Sequence, residues 1–187
     1  MLKELLLKNR SYRRFYQHIT IDNTSLLNWI DNSRLGASGR NAQSLKYKIV
    51  NHTNDNQKVF ECLKWAGYLT NWEGPVEGEK PAAYILIYND ENISKNYFCD
   101  DGIAIQNILL SAVEEGFGGC IIKVFDAEKL KRLFPVQENL IPIEILALGK
   151  PKEQVIITEM KNNDIKYWRD EKEIHYVPKR KLDDILL

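Results

Sequence analysis

Arg10, Arg13 and Arg14 stand beside Ser11 in the run Arg10-Ser-Tyr-Arg-Arg-Phe15. Guanidinium groups offer forked donors and a serine adds a hydroxyl, which together suit a phosphate or other anion. A solvated basic turn has the same appearance, because charged clusters are common on protein surfaces. A second polar group, Ser38, Asn41 and Gln43, lies in the run Gly36-Ala-Ser-Gly-Arg-Asn-Ala-Gln-Ser44. Its amides and hydroxyl could pair with the polar edge of a heterocycle or with a sugar-like chain, and they are also ordinary loop chemistry. The glycines of Glu115-Gly-Phe-Gly-Gly-Cys120 do not make a dinucleotide fingerprint, which needs a strand before them and a helix after. Here a helical segment comes first and a strand follows, so Gly116 is expected to end a helix.

Elements of both kinds must carry these residues. A short amphipathic helix is expected at the start, followed by a helix over residues 23 to 35 with Asp22, Asn23 or Thr24 as cap and Leu26, Leu27, Ile30 and Leu35 on its core face. Alternation in Leu45-Lys-Tyr-Lys-Ile-Val50 predicts a half-buried strand, and Val59, Cys62, Leu63 and Ala66 a helix after it. Residues 65 to 80, with two tryptophans, three glycines and a proline, read as an excursion able to cover a site. Strands are expected at 82 to 88, 120 to 122 and 143 to 148, a buried helix from Asp100 to Glu115, and a helix over 127 to 134. The alternation implies an α/β or α+β domain without repeats. The tail from 150 to 187 is more polar, and its last turns need something to dock on.

Composition narrows the function. The 187 residues suit one domain, and 26 basic against 26 acidic residues give no net field to draw nucleic acid or an anionic membrane. The opening apolar run is too short and too charged for a signal peptide or membrane span. Cys62, Cys99 and Cys120 suggest neither a disulfide framework nor zinc, and a reducing cytoplasm fits them. Cys120 reads as a small buried hydrophobe, and the scattered His18, His52 and His175 imply no metal site.

Taken in order, the polar runs resemble the nitroreductase family across nearly the whole chain. Arg10-Ser-Tyr-Arg-Arg-Phe15 is similar to its Arg-Ser-x-Arg-x-Phe motif. Ala37-Ser-Gly-Arg-Asn-Ala-Gln-Ser44 is similar to its Pro-Ser-Ser-x-Asn-x-Gln-Pro loop, with Ala37 and Ser44 where prolines are usual. Asp100, Ala104, Gln106, Asn107, Leu110, Ala112, Gly116, Phe117, Gly118 and Cys120 look like its central helix and the strand after it. Ala147 to Glu153 resembles its Ala-Leu-Gly-x-Pro-x-Glu exit.

The resemblance implies an α+β fold: a central, mostly antiparallel sheet flanked by helices, a long buried central helix and an intertwined homodimer. A single FMN-binding domain would span residues 1 to 187, with the tail from about 150 packing on the partner subunit. Non-covalent FMN would lie at the subunit interface, reduced by NAD(P)H and reoxidised in a ping-pong cycle by a small electron-poor acceptor such as a nitroaromatic or quinone. Arg10, Ser11 and Arg13 match flavin-binding positions, and Ser38, Asn41 and Gln43 match the loop, of which Ser38 and Asn41 would approach from the partner. The backbone amides of Lys123 and Val124 align with those that bond flavin N5 and O4, although glycine or glutamate is commoner than lysine at the first. Lys179 and Arg180 are similar to the motif that grips the FMN phosphate, with Arg169 an alternative. Trp65, Tyr68 and Trp72 could form an aromatic lid or a small satellite core. No side chain is assigned as acid, base or nucleophile. Rival readings are a flavin-binding or redox-sensing module with little turnover, and a related dehalogenating or flavin-fragmenting flavoprotein.

Overall fold

A computed structural model describes residues 1–187. Four strands form the main sheet in the order β1, β2, β4, β3, every neighbouring pair antiparallel: β1 (Leu45–Val50), β2 (Ala83–Asp90), β3 (Gly118–Ile122) and β4 (Leu140–Gly149). The sheet is covered on both faces. That explains why β2 is a continuous apolar run rather than an alternating one. Ile85, Ile87, Leu146 and Leu148 meet helices α2 (Asn23–Arg34) and α4 (Asp100–Glu114), whereas Tyr84, Leu86, Ile145, Ala147 and Ile122 meet Val59 of α3 (Thr53–Phe60) and Leu130 of α5 (Ala127–Leu133).

Helix α2 starts on Asp22, whose carboxylate accepts from the Ser25 amide at 2.8 Å. Its core face differs from the expected one. Leu26, Trp29 and Ser33 are buried, while Leu27 and Leu35 are exposed, because the i, i+3, i+7 stripe through Trp29 wins the larger buried surface. Helix α4 ends as expected: Gly116 takes φ +78°, its amide donates to Val113 and the Phe117 amide to Ala112, a doubly bonded C-terminal cap. Phe117 is thereby turned onto Trp29, ring centroids 5.8 Å apart.

Two further expectations change. Helix α3 stops at Phe60, and Leu63 instead bridges Phe125 while Ala66 sits in a loop at φ +38°. The tail contains a second sheet, in which β7 (His175–Lys179) lies between β5 (Val155–Glu159), its parallel neighbour, and β6 (Trp168–Arg169), its antiparallel one. Helix α1 (Leu2–Lys8) buries none of its residues. No helix is long and apolar enough to cross a membrane.

Candidate functional site

The edge strand β3 and the N-terminal and tail segments beside it build the site. Strand β3 is a sheet edge, bonded on one side to β4. On its free side the N-terminal segment makes a single bridge, Ser11 to Gly119, with the Tyr12 amide donating to the Gly119 carbonyl at 3.0 Å. Glycine is required there, because a Cβ on residue 119 would come within 2.5 Å of the Ala147 carbonyl oxygen. Beyond the bridge the edge is open, and two clefts of about 280 Å³ and 430 Å³ run along it, meeting at Arg13, Ile121 and Tyr167.

The smaller cleft is basic. Arg10, Ser11, Arg13 and Lys179 line it together with Gln106 and His175. The Arg10 Nε is buried and has no partner within the chain. Of the three cations considered for a phosphate, Lys179 is the one in the cleft. Arg180 lies on the exposed surface against Asn163 at 3.1 Å, and Arg169 donates to the buried Glu153 at 2.9 Å with its other face on Trp72. Arg14 is also committed elsewhere, forked onto Glu79 at 2.6 and 2.8 Å, which holds the Glu79 carboxyl down at about 2.

The larger cleft carries Lys123, Val124, Trp65 and Tyr167 around Cys120 to Ile122. The amides of Lys123 and Val124 donate to no group of the chain, so both are available to an acceptor atom in the cleft. Trp65 walls this cleft and packs on Trp72 and Phe60 at centroid distances of 6.4 and 5.9 Å. Tyr68 reaches the cleft through Tyr167, 5.0 Å away, and Trp72 is turned to Arg169.

Glu153 fixes the junction of the two clefts. It accepts from the amides of Arg13 and Arg14 and from Arg169, and the Arg13 side chain then lies over Tyr167 at 4.8 Å and 3.4 Å from the His175 Nε2. His175 is fully buried, and burial beside the cations Arg13 and Arg169 pushes its pKa down to about 4. It is therefore neutral at pH 7 and accepts from Arg13. Nothing in the local sequence marks Glu153, Tyr167 and His175 for this role, although Glu153 ends the Ala147 to Glu153 run.

Ser38, Asn41 and Gln43 lie apart from this cleft. Ser38 Oγ donates to Asp100 Oδ2 at 2.6 Å and the Gly39 amide to Asp100 Oδ1 at 2.7 Å, tying the loop to the start of α4. Arg40, Asn41 and Gln43 all take positive φ, between 53° and 55°, a strained run in which Gln43 Nε2 donates to Asn41 Oδ1 at 3.1 Å.

The fold and this edge define a class: an antiparallel α+β protein holding an open cleft with cations at one end and free backbone amides at the other. Comparison gives the family. The nitroreductase family profile matches residues 6–150, and the chain belongs to that family of oxidoreductases. A protein of Methanothermobacter thermautotrophicus, provisionally named NADH dehydrogenase/NAD(P)H nitroreductase, is 26% identical over 153 residues, covering 79% of this chain and 76% of its own. Among solved structures, a nitroreductase family protein of Streptococcus pneumoniae TIGR4 superposes with TM-score 0.72 at 14% identity, covering 100% of this chain and 99% of its own. Another, from Exiguobacterium sibiricum 255-15, was solved in complex with FMN; it has TM-score 0.69 and 15% identity, covering 90% of this chain and 97% of its own.

Proposed function

We propose that the chain is an FMN-dependent oxidoreductase that takes electrons from NAD(P)H and passes them to a small electron-poor acceptor, a quinone or nitroaromatic. One observation carries this reading: the unpaired amides of Lys123 and Val124 line one of two joined clefts, the cations Arg10 and Lys179 line the other, and Arg13 stands where the two meet. A flavin mononucleotide needs that arrangement, with donors at the ring's polar edge and positive charge at its phosphate. The solved Exiguobacterium relative with FMN supports the choice of ligand.

When bound, the flavin supplies the hydride chemistry. Arg10, Lys179 and the Ser11 hydroxyl would hold the phosphate, and the Lys123 and Val124 amides would orient the ring through its N5 and O4 edge. Arg13, held by Glu153, Tyr167 and His175, would place a fixed cation where negative charge grows on reduction, which raises the reduction potential. Trp65, with Tyr68 and Trp72 behind it, would limit the acceptor to planar molecules and exclude water.

Ser38, Asn41 and Gln43 would serve the flavin of a second copy, since they lie away from their own cleft. The exposed Leu2, Leu6 and Leu7 of α1, with Leu182, Ile185 and Leu186 of the tail, support a homodimer in which residues from about 150 onward pack partly on the partner.

An absorption spectrum of the purified protein, followed by anaerobic NADH and then NADPH, tests the reading. Flavin bands that bleach with either donor and return with a quinone or nitroaromatic are expected. A colourless protein that takes up no FMN would overturn it.

A further inference from the structure

Lys123 follows β3, and its side chain has unusual company for a residue that lines a cleft. Its Nζ is 2.7 Å from Glu144 Oε1 and 3.3 Å from Asp101 Oδ2, and although the lysine side chain is 63% exposed and borders the larger cleft, Glu144 behind it is 2% exposed. A bulge in β4 opposite Ile87 and Tyr88 turns both Ile143 and Glu144 to the α4 side of the sheet, and such bulges commonly re-aim a side chain. Glu144 is the one acidic residue in the otherwise apolar Ile143 to Leu148 segment.

Two buried carboxylates facing one ammonium carry a surplus negative charge, which a buried site resolves by keeping a proton. The positions of the two acids decide where it stays. Asp101 lies in the first turn of α4, where the helix N-terminus favours an anion, and it accepts from the Gly102 amide at 2.8 Å; it remains ionised, with its pKa lowered. Glu144 has no such donor. The groups facing it are Asp101 from α4, Lys123 from beyond β3 and the apolar Ile87 from β2, and the neighbouring Asp100 is turned away to Ser38 and Gly39. Burial, with Asp101 adding to it and Lys123 opposing, pushes the Glu144 carboxyl up to about 7.

We infer that Lys123, Asp101 and Glu144 form a proton relay that opens into the cleft and protonates the acceptor during its reduction. This rests on the flavin oxidoreductase reading above. A quinone accepts two electrons and one proton as hydride from the reduced flavin, and its second oxygen then needs a proton. An N–H bond of the Lys123 ammonium breaks as that O–H bond forms. The Glu144 O–H bond breaks to restore the ammonium, one proton (H⁺) taken up from solvent restores the Glu144 acid between turnovers, and no electrons cross the relay. Lysine alone would be a poor acid here, since pairing with Glu144 raises its pKa. Coupled to Glu144, the proton given up in net is the one held by the weaker base, matched to neutral pH. Lys123 is the catalytic residue; Glu144 and Asp101 act through it.

The test compares the flavin-loaded wild type with Glu144→Gln and Lys123→Met. Infrared difference spectra across pH should show, in the wild type, a protonated-carboxyl carbonyl band that disappears with a midpoint near 7. The band should be missing in Glu144→Gln and persist to higher pH in Lys123→Met, where the opposing ammonium is gone. In stopped-flow reoxidation by a quinone, both variants should slow by about 100-fold and lose the wild-type fall in rate above neutral pH, as expected for lost general acid catalysis. Ferricyanide, which takes single electrons and no proton, should lose at least about tenfold less in the same variants. An unchanged carbonyl band in Glu144→Gln, or equal slowing with both oxidants, would overturn the relay while leaving the oxidoreductase reading intact. A protein that binds no flavin and reduces neither oxidant would fail that reading and the relay with it.

Discussion

Replacing Glu153 by alanine should be among the most damaging single changes in this chain. Its side chain is fully buried and gathers three donors: the amides of Arg13 and Arg14, and the Arg169 guanidinium at 2.9 Å, itself only 9% exposed. Glu153→Ala leaves the nearly buried Arg169 with only the exposed Glu173 carboxylate, 4.0 Å away, and two backbone N–H groups without an acceptor. Breaking a buried pair from one side costs about 3–5 kcal/mol, and part of the orphaned N–H cost is recovered by water entering the space. We expect a loss of about 4 kcal/mol, or about 10 °C in Tm for a domain of this size. Arg169→Met should cost less, about 2 kcal/mol, since the two amides still satisfy the carboxylate. The double variant should recover about 2 kcal/mol relative to the sum of the singles. Urea unfolding followed by tryptophan fluorescence, at fixed protein and flavin concentration, measures all three. A Glu153→Ala midpoint within about 1 kcal/mol of wild type, or additive singles, would refute the claim that this carboxylate holds the tail against the Arg13 segment.

Acid should weaken the fold through His175: its folded pKa near 4 lies below the ordinary 6.5, so the unfolded chain binds the proton more tightly and stability, complete above pH 6.5, falls as pH drops toward 4. The shift corresponds to about 3 kcal/mol at most, and screening and relaxation bring the expected loss to about 2 kcal/mol, measured as the difference in urea midpoints that His175→Gln should remove. Lys179→Ala should weaken FMN binding by about tenfold or more and Arg180→Ala by less than about threefold, read from quenching of flavin fluorescence. Equal effects would contradict the placement of Lys179 in the cleft and Arg180 outside it. Gly119→Ala should destabilise by more than about 2 kcal/mol, because its methyl group would meet the Ala147 carbonyl across β3 and β4. A thermal melt like that of wild type would show that the strands can separate without loss.

Local rules in the sequence determined much of this protein. The Gly116 helix end and the strand at Leu45–Val50 depend on neighbouring residues alone and are found as read, and of the three candidate caps Asp22, Asn23 and Thr24 it is Asp22 that caps α2. Ordered runs from Arg10 to Glu153 sufficed for the resemblance to the nitroreductases, which the family profile over residues 6–150 established. Tertiary structure decided what depends on groups distant in the chain. Whether Leu27 or Trp29 faces the core follows from which stripe of α2 meets α4 and Phe117, a choice the apolar count leaves open. Which arginine is free to bind an anion depends on the carboxylates it meets: Glu79 takes Arg14 from 65 residues away and Glu153 takes Arg169. The tail sheet is not legible in the sequence because its strands are only two to five residues long and β5 pairs with β7 in parallel across a long connection. Lys123, Asp101 and Glu144 acquire their chemistry by meeting, and no spacing along the chain announces that a lysine after β3 will reach an aspartate on α4 and a glutamate buried in β4.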